Sequence, residues 1–267
     1  MQQLSNLLNN RDVAFTLDLI PCYQAIWKRL PERVKSGKDK SGWHDVDRVH
    51  ALVKQRSPTI AECLHPNSNR PALIEPRTKQ SLSHTALARF VQQFDLGIDY
   101  DLCANRRVAV VLPNGPVLAV ANLAVSNYYT LMAMTPAAGP VQVREDATRA
   151  EIGTILALAE DIPKLQLNEP WVQEAGIRIF SVQPKDDLTF DMTPVNCGPL
   201  DQRESHPPKV NSPDDVALML FTSGSSGNKK LVPISKDDYI SRAVWVMDAF
   251  ELTADDGCLN VMPLHHV

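Results

Sequence analysis

The chain has 267 residues, 44% of them hydrophobic and 22% charged, which is enough to bury a sizeable core and ordinary for a globular protein. A net charge of −4 gives no electrostatic reason to expect nucleic acid or an anionic membrane as a partner. The five cysteines, Cys22, Cys63, Cys103, Cys197 and Cys258, are widely spaced and form no Cys-x-x-Cys pair, which argues against a disulfide framework or zinc site and for a reducing, cytoplasmic location.

The first twenty residues carry Arg11, Asp12 and Asp18, a composition that spoils a secretory signal. Residues 14–29 have helical spacing, with Phe15, Leu17, Leu19, Ile20, Tyr23, Ile26 and Trp27 forming an apolar face around Pro21. A charged, glycine-punctuated linker, 35–42, and a second helix, about 45–55, complete what reads as a helical N-terminal extension over residues 1–56 with no evident function. From Ser57 the pattern changes. A short helix begins at Thr59, Ala72 to Glu75 reads as a strand, and Leu82 to Leu87 leads into a helix ending near Phe94.

Arg107-Val108-Ala109-Val110-Val111-Leu112 is a β-branched run closed by the turn Pro113-Asn114-Gly115-Pro116 and followed by an apolar helix, the pattern of a buried parallel strand passing to its crossover. No G-x-G-x-x-G is present, so this turn is not a dinucleotide fingerprint. The most apolar region, 108–134, is broken by Pro113, Asn114, Pro116, Asn122 and Asn127, which leaves no membrane span of about 18–20 residues. Leu131 to Pro136 reads as a strand, Thr148 to Ala159 as a helix, and Ile177 to Val182 as another buried strand. Residues 183–214 are rich in Pro, Asp, Asn and Ser and read as surface. The alternation implies an α/β layered domain, mainly parallel sheets with crossover helices.

Val216 to Phe221 is a further buried strand. It opens into Thr222-Ser223-Gly224-Ser225-Ser226-Gly227-Asn228 and two lysines, after which Leu231 to Ile234 resumes as strand. Glycines that let backbone N–H groups approach an anion, four hydroxyls and a lysine are the parts of a phosphate cradle. The spacing is not that of a Walker A loop, which has four residues between its glycines and opens a helix. By composition alone a plain Ser/Gly hairpin turn fits equally well. Asp237 to Phe250 then has helical spacing. Cys258 to Met262 reads as a last strand before Pro263-Leu264-His265-His266-Val267. The two adjacent histidines face opposite sides of a strand, and no third or fourth ligand is evident, so no metal site is expected.

The wording of the loop, Phe221 to Val232, resembles the nucleotide-binding signature (Y/F)TSG(S/T)(T/S)GxPKxV of the adenylate-forming superfamily, which includes acyl-CoA synthetases, luciferases and peptide-synthetase adenylation domains. The Pro-Ala-Leu-Ile strand at 71–74, the Arg107 to Pro116 run and the Met-Pro-Leu-His-His segment at 262–266 are similar to further motifs of that family. Several positions depart from it. Lys229 stands where the family has proline, Ser235-Lys236 where it often has Thr-His, His84 where an aromatic residue is usual, and His265 where the last motif has an aromatic residue. The resemblance implies that residues 57–267 are a partial AMP-binding domain. It also implies ATP and Mg²⁺ as cofactors, with Thr222, Ser223, Gly224, Ser225, Ser226, Gly227 and Lys230 holding the phosphates and Lys229 the weaker lysine. His266 aligns with a histidine that shapes the acid-substrate pocket. The implied partners are a carboxylic acid and a thiol, either coenzyme A or a phosphopantetheine carrier domain. The family's later motifs do not occur in these 267 residues. The chain is therefore expected to be a truncated ligase, inactive alone, with a non-catalytic nucleotide-binding or interaction fragment as the alternative.

Overall fold

The computed structural model of the protein describes residues 51, 53–97, 106–197, 208–222, 229–250, 252 and 256–265. These belong to two compact units, one of residues 53–240 and 263–267, the other of 1–52 and 241–262. Of the expected N-terminal extension only residues 51 and 53–56 are among those described, and they are helical.

The larger unit is built on a seven-stranded sheet of β3 (Arg107–Val111), β4 (Thr130–Met134), β5 (Thr154–Leu158), β6 (Arg178–Pro184), β7 (Phe190–Pro194), β8 (Val216–Phe221) and β9 (Leu231–Ser235), in the order β7-β6-β5-β3-β4-β8-β9. The five central strands are parallel, and each edge is closed by an antiparallel neighbour, β7 on β6 and β9 on β8. A small antiparallel pair, β1 (Pro71–Ile74) and β2 (Ser81–Ser83), precedes it.

Strand periodicity divides the core in two. Val108, Val110, Leu112, Leu131, Ala133, Leu156, Phe180 and Leu218 point to one face, which is covered by α1 (His84–Gln93) and α2 (Pro116–Tyr128). Ala109, Val111, Met132, Met134, Ile155, Ala157, Ile179 and Met219 point to the other, under α3 (Gly139–Arg149), α4 (Asp161–Lys164) and α5 (Pro170–Glu174). A parallel sheet buried on both faces explains why its strands read as continuous apolar runs. The helix α2 starts with Pro116 at its first position, where no donor is lost, and buries residues on all sides. The helix α1 is capped by Ser83, whose hydroxyl accepts from the Ala86 N–H at 3.2 Å.

Three sequence expectations are corrected. The helix expected over 148–159 is the end of α3, a turn, and the central strand β5. Glu151 takes a left-handed φ of 51°, and the Ile152 N–H reaches back to Ala147 O at 2.9 Å, which stops the helix before the apolar run begins. Part of the expected surface segment 183–214 is the hairpin of β6 and β7, which buries Leu188 and Phe190. The last strand expected over 258–262 does not form; residues 258–261 have no regular structure, and Met262 is 64% exposed. The final helix matches its reading closely, as α6 (Lys236–Ala249).

Candidate functional site

All five parallel strands end on one edge of the sheet, the edge outside which ligands of open α/β sheets bind. The turn Pro113–Pro116 leaves that edge after β3, and the Ser/Gly loop leaves it after β8. With only β4 between them, the two strands are separated by about 10 Å.

The loop is closed at its base by two bonds between the same residues. The Thr222 N–H donates to Lys230 O at 2.9 Å, and the Lys230 N–H donates to Thr222 Oγ1 at 3.1 Å. Phe221 pairs with Leu231 immediately below. The intervening stretch is longer than the usual two to five residues of a hairpin, as loops kept for binding often are. Ser223, Gly224, Ser225, Ser226 and Gly227 lie outside the described residues, as does His266.

The two lysines at the loop's end have different surroundings. Lys229 Nζ pairs with Asp146 of α3, at 3.1 and 3.3 Å to its two carboxylate oxygens, and lies 5.7 Å from the centre of the Phe221 ring. Arg149, one turn further along α3, donates to the Lys229 carbonyl and stands 5.5 Å from the same ring. Lys230 is exposed and makes no ion pair among the described residues.

At the neighbouring strand end, two asparagines grip the backbone of one residue. Asn114 Oδ1 accepts from the Leu264 N–H at 2.9 Å, and Asn122 Nδ2 donates to Leu264 O at 3.3 Å. This fixes the segment Pro263-Leu264-His265, next to His266, above the Pro113–Pro116 turn. Sequence reasoning treated Asn114 as a turn residue and Asn122 as an interruption of an apolar run. It does not mark Asp146 or Arg149 as site residues, because nothing local marks a partner some eighty residues away. Lys236, in place of the family's histidine, is buried and structural. Its Nζ donates to Pro58 O at 3.0 Å and Ser57 Oγ at 3.2 Å, and it lies 3.0 Å from the Asp237 carboxylate. Among the described residues no cluster of three or more His, Cys, Asp or Glu side chains could hold a metal ion, and no helix is long and apolar enough to cross a membrane.

Known proteins share this fold. The model of a family described as AMP-binding enzyme matches residues 61–267. The 4-coumarate–CoA ligase-like 6 of Arabidopsis thaliana is 25% identical over 219 residues, covering 76% of this chain and 37% of its own length. Among solved structures, ATP-bound MatB from Rhodopseudomonas palustris superposes with a TM-score of 0.58 at 20% identity, over 78% of this chain and 41% of that one. The long-chain-fatty-acid–CoA ligase FadD1 of Archaeoglobus fulgidus gives 0.53 at 18% identity, over 83% and 42%. At these identities the structures establish the fold. The chain spans less than half the length of these relatives.

Proposed function

Since the chain belongs to the AMP-binding enzyme family, we propose that it is the nucleotide-holding part of an ATP-dependent acid–thiol ligase. In that reaction a carboxylate attacks the α-phosphate of ATP, forming an acyl-adenylate and releasing pyrophosphate. The thiol of coenzyme A or of a phosphopantetheine carrier domain then takes the acyl group and releases AMP. The attacking carboxylate is already ionised near neutral pH, so no general base is required for the first step.

The observation that carries the reading is the doubly bonded Thr222–Lys230 base, which holds a long Ser/Gly loop at the carboxyl edge of a parallel sheet. Thr222, Ser223, Gly224, Ser225, Ser226, Gly227 and Lys230 are assigned to the β- and γ-phosphates. Their N–H and hydroxyl groups donate to the phosphate oxygens, and Lys230 offsets the charge of the leaving pyrophosphate. Lys230 fits this role better than Lys229, which is already engaged by Asp146. Mg²⁺, when bound, neutralises part of the phosphate charge. His266, two residues beyond the Leu264 backbone held by Asn114 and Asn122, is assigned to the acid-substrate pocket. Residues 57–267 are taken as the partial AMP-binding domain of a cytoplasmic protein, and 1–56 as an extension of it.

Calorimetric titration of the 267-residue chain with Mg·ATP tests the cradle. The expected result is saturable binding that the pair Ser223→Ala with Lys230→Ala weakens at least about tenfold, the loss of one or two charge-assisted hydrogen bonds. Unchanged affinity in that variant sinks the assignment. ATP-dependent pyrophosphate release by a native-length protein, across a panel of carboxylic acids, tests the ligase activity itself.

A further inference from the structure

The family's loop carries a proline where this chain has Lys229, and a proline holds the backbone by restricting φ. Lys229 has no such restriction, but it is fastened from outside. Asp146 binds its ammonium through both carboxylate oxygens, and Arg149 binds its carbonyl. Phe221, the last residue of β8, lies under both cations. Asp146 is itself held by Gln142 Nε2 at 2.9 Å. Three groups from α3 and β8 thus converge on one residue at the closing end of the loop, and Gln142 steadies one of them.

We propose that Asp146 and Arg149 are positioning residues for the phosphate loop, clamping Lys229 to α3 in place of the proline's intrinsic stiffness. The proposal rests on the cradle reading insofar as the clamped loop is meant to meet phosphates; the clamp itself is a property of the hairpin. Neither residue is assigned a contact with the phosphates. They act through Lys229, whose backbone leads directly into Lys230 and its two bonds to Thr222. The Lys229 and Asp146 side chains are 37% and 16% exposed, so the pair is screened only in part by salt.

Two readouts separate the clamp from the cradle. The first is amide hydrogen exchange of residues 229–235 in the full 267-residue chain, without nucleotide. Asp146→Asn, nearly isosteric, should speed exchange there by about two- to fivefold, the range for one partly exposed ion pair, while the central strands are unchanged. Lys229→Pro should remove the dependence on residue 146, so that Asp146→Asn has no further effect in that background. Unaltered exchange in Asp146→Asn, or an equal increase in the Lys229→Pro background, overturns the clamp. The second readout is Mg·ATP affinity. Asp146→Asn should weaken it by a similar factor at low salt, with Lys229→Pro restoring it. If exchange rises but affinity stays level, the residues are structural and not positioning. If the unmodified chain does not bind ATP, the cradle reading fails and the clamp stands or falls on exchange alone.

Discussion

At the scale of single residues, this chain's departures from its family's pattern have physical jobs. His84 is the plainest case. Its imidazole is half-buried, with its ring 5.4 Å from that of His65 in an edge-on contact. Burial lowers its pKa below the ordinary 6.5, and the nearby His65 and Arg70 lower it further. The folded state therefore prefers the neutral ring. As pH falls below 6.5 the unfolded chain takes up the proton first, so stability is lost on acidification until the folded pKa is passed. Denaturant melts of the wild type and His84→Tyr between pH 7 and pH 5 should show the variant losing less stability. Parallel curves would mean that His84 has no share in the acid sensitivity. Lys236 is a second case. Its side chain and that of Asp237 are 2% and 6% exposed, so the pair is truly interior. Lys236→Met leaves a buried carboxylate unpaired at the start of α6, where the helix dipole compensates only in part. A loss of about 3 kcal/mol is expected. Lys236→Met with Asp237→Ala should recover most of it, and failure to recover would show that the packing of the lysine stem, not the charge, was lost.

At the scale of elements, the segment that brings the chain to β8 is fastened by a residue with no obvious signature. Asn211 is 4% exposed and donates through Nδ2 to Ser126 O at 2.9 Å and Tyr129 O at 3.0 Å, while its own N–H donates to Asn127 O at 3.0 Å. It thereby satisfies carbonyls at the end of α2 that have no partner inside the helix. Asn211→Ala keeps the backbone bond to Asn127 O but strands the Ser126 and Tyr129 carbonyls out of reach of water, and should cost about 1–3 kcal/mol. A surface-like loss of a few tenths in chemical denaturation would show that solvent substitutes for the side chain. Legibility followed the same division between local and distant causes. The strand β3 and the turn after it could be read from Arg107 to Pro116 because β-branched residues and two prolines act locally. Strand β5 could not, because Ile155-Leu156-Ala157-Leu158 suits a buried helix and a buried strand equally, and the left-handed Glu151 that decides between them is no glycine. The sequence 258–262 has strand composition but no ladder partner among the described residues. In the site, the loop was recognisable by its wording. The Asn114–Leu264–Asn122 grip and the Asp146–Lys229 pair depend on chain crossings that no local pattern records.

At the scale of the molecule, the Ser/Gly loop proposed to hold phosphates is anchored at the end of a central sheet, so a ligand there should change the stability of the unit as a whole. A ligand that binds only the folded state stabilises it by about 2.7 kcal/mol at a hundred times its Kd. For a body of some two hundred residues, each kcal/mol raises Tm by about 2–4 °C, giving an expected rise of about 5–11 °C with saturating Mg·ATP. The source of that rise can be resolved by the ligand series. If the grip is on the β- and γ-phosphates, tripolyphosphate should reproduce part of the shift and AMP little of it, and Lys230→Ala should lower the ATP and tripolyphosphate shifts together. Lys229→Ala gives the contrasting case, because its charge is already spent on Asp146. It should loosen the loop without removing a phosphate contact, so the shift shrinks by a similar proportion for every ligand that reaches the loop. Thermal melts in which AMP matches ATP, or in which Lys230→Ala keeps the full shift, would move nucleotide recognition away from the β8–β9 loop and toward groups that hold the adenosine.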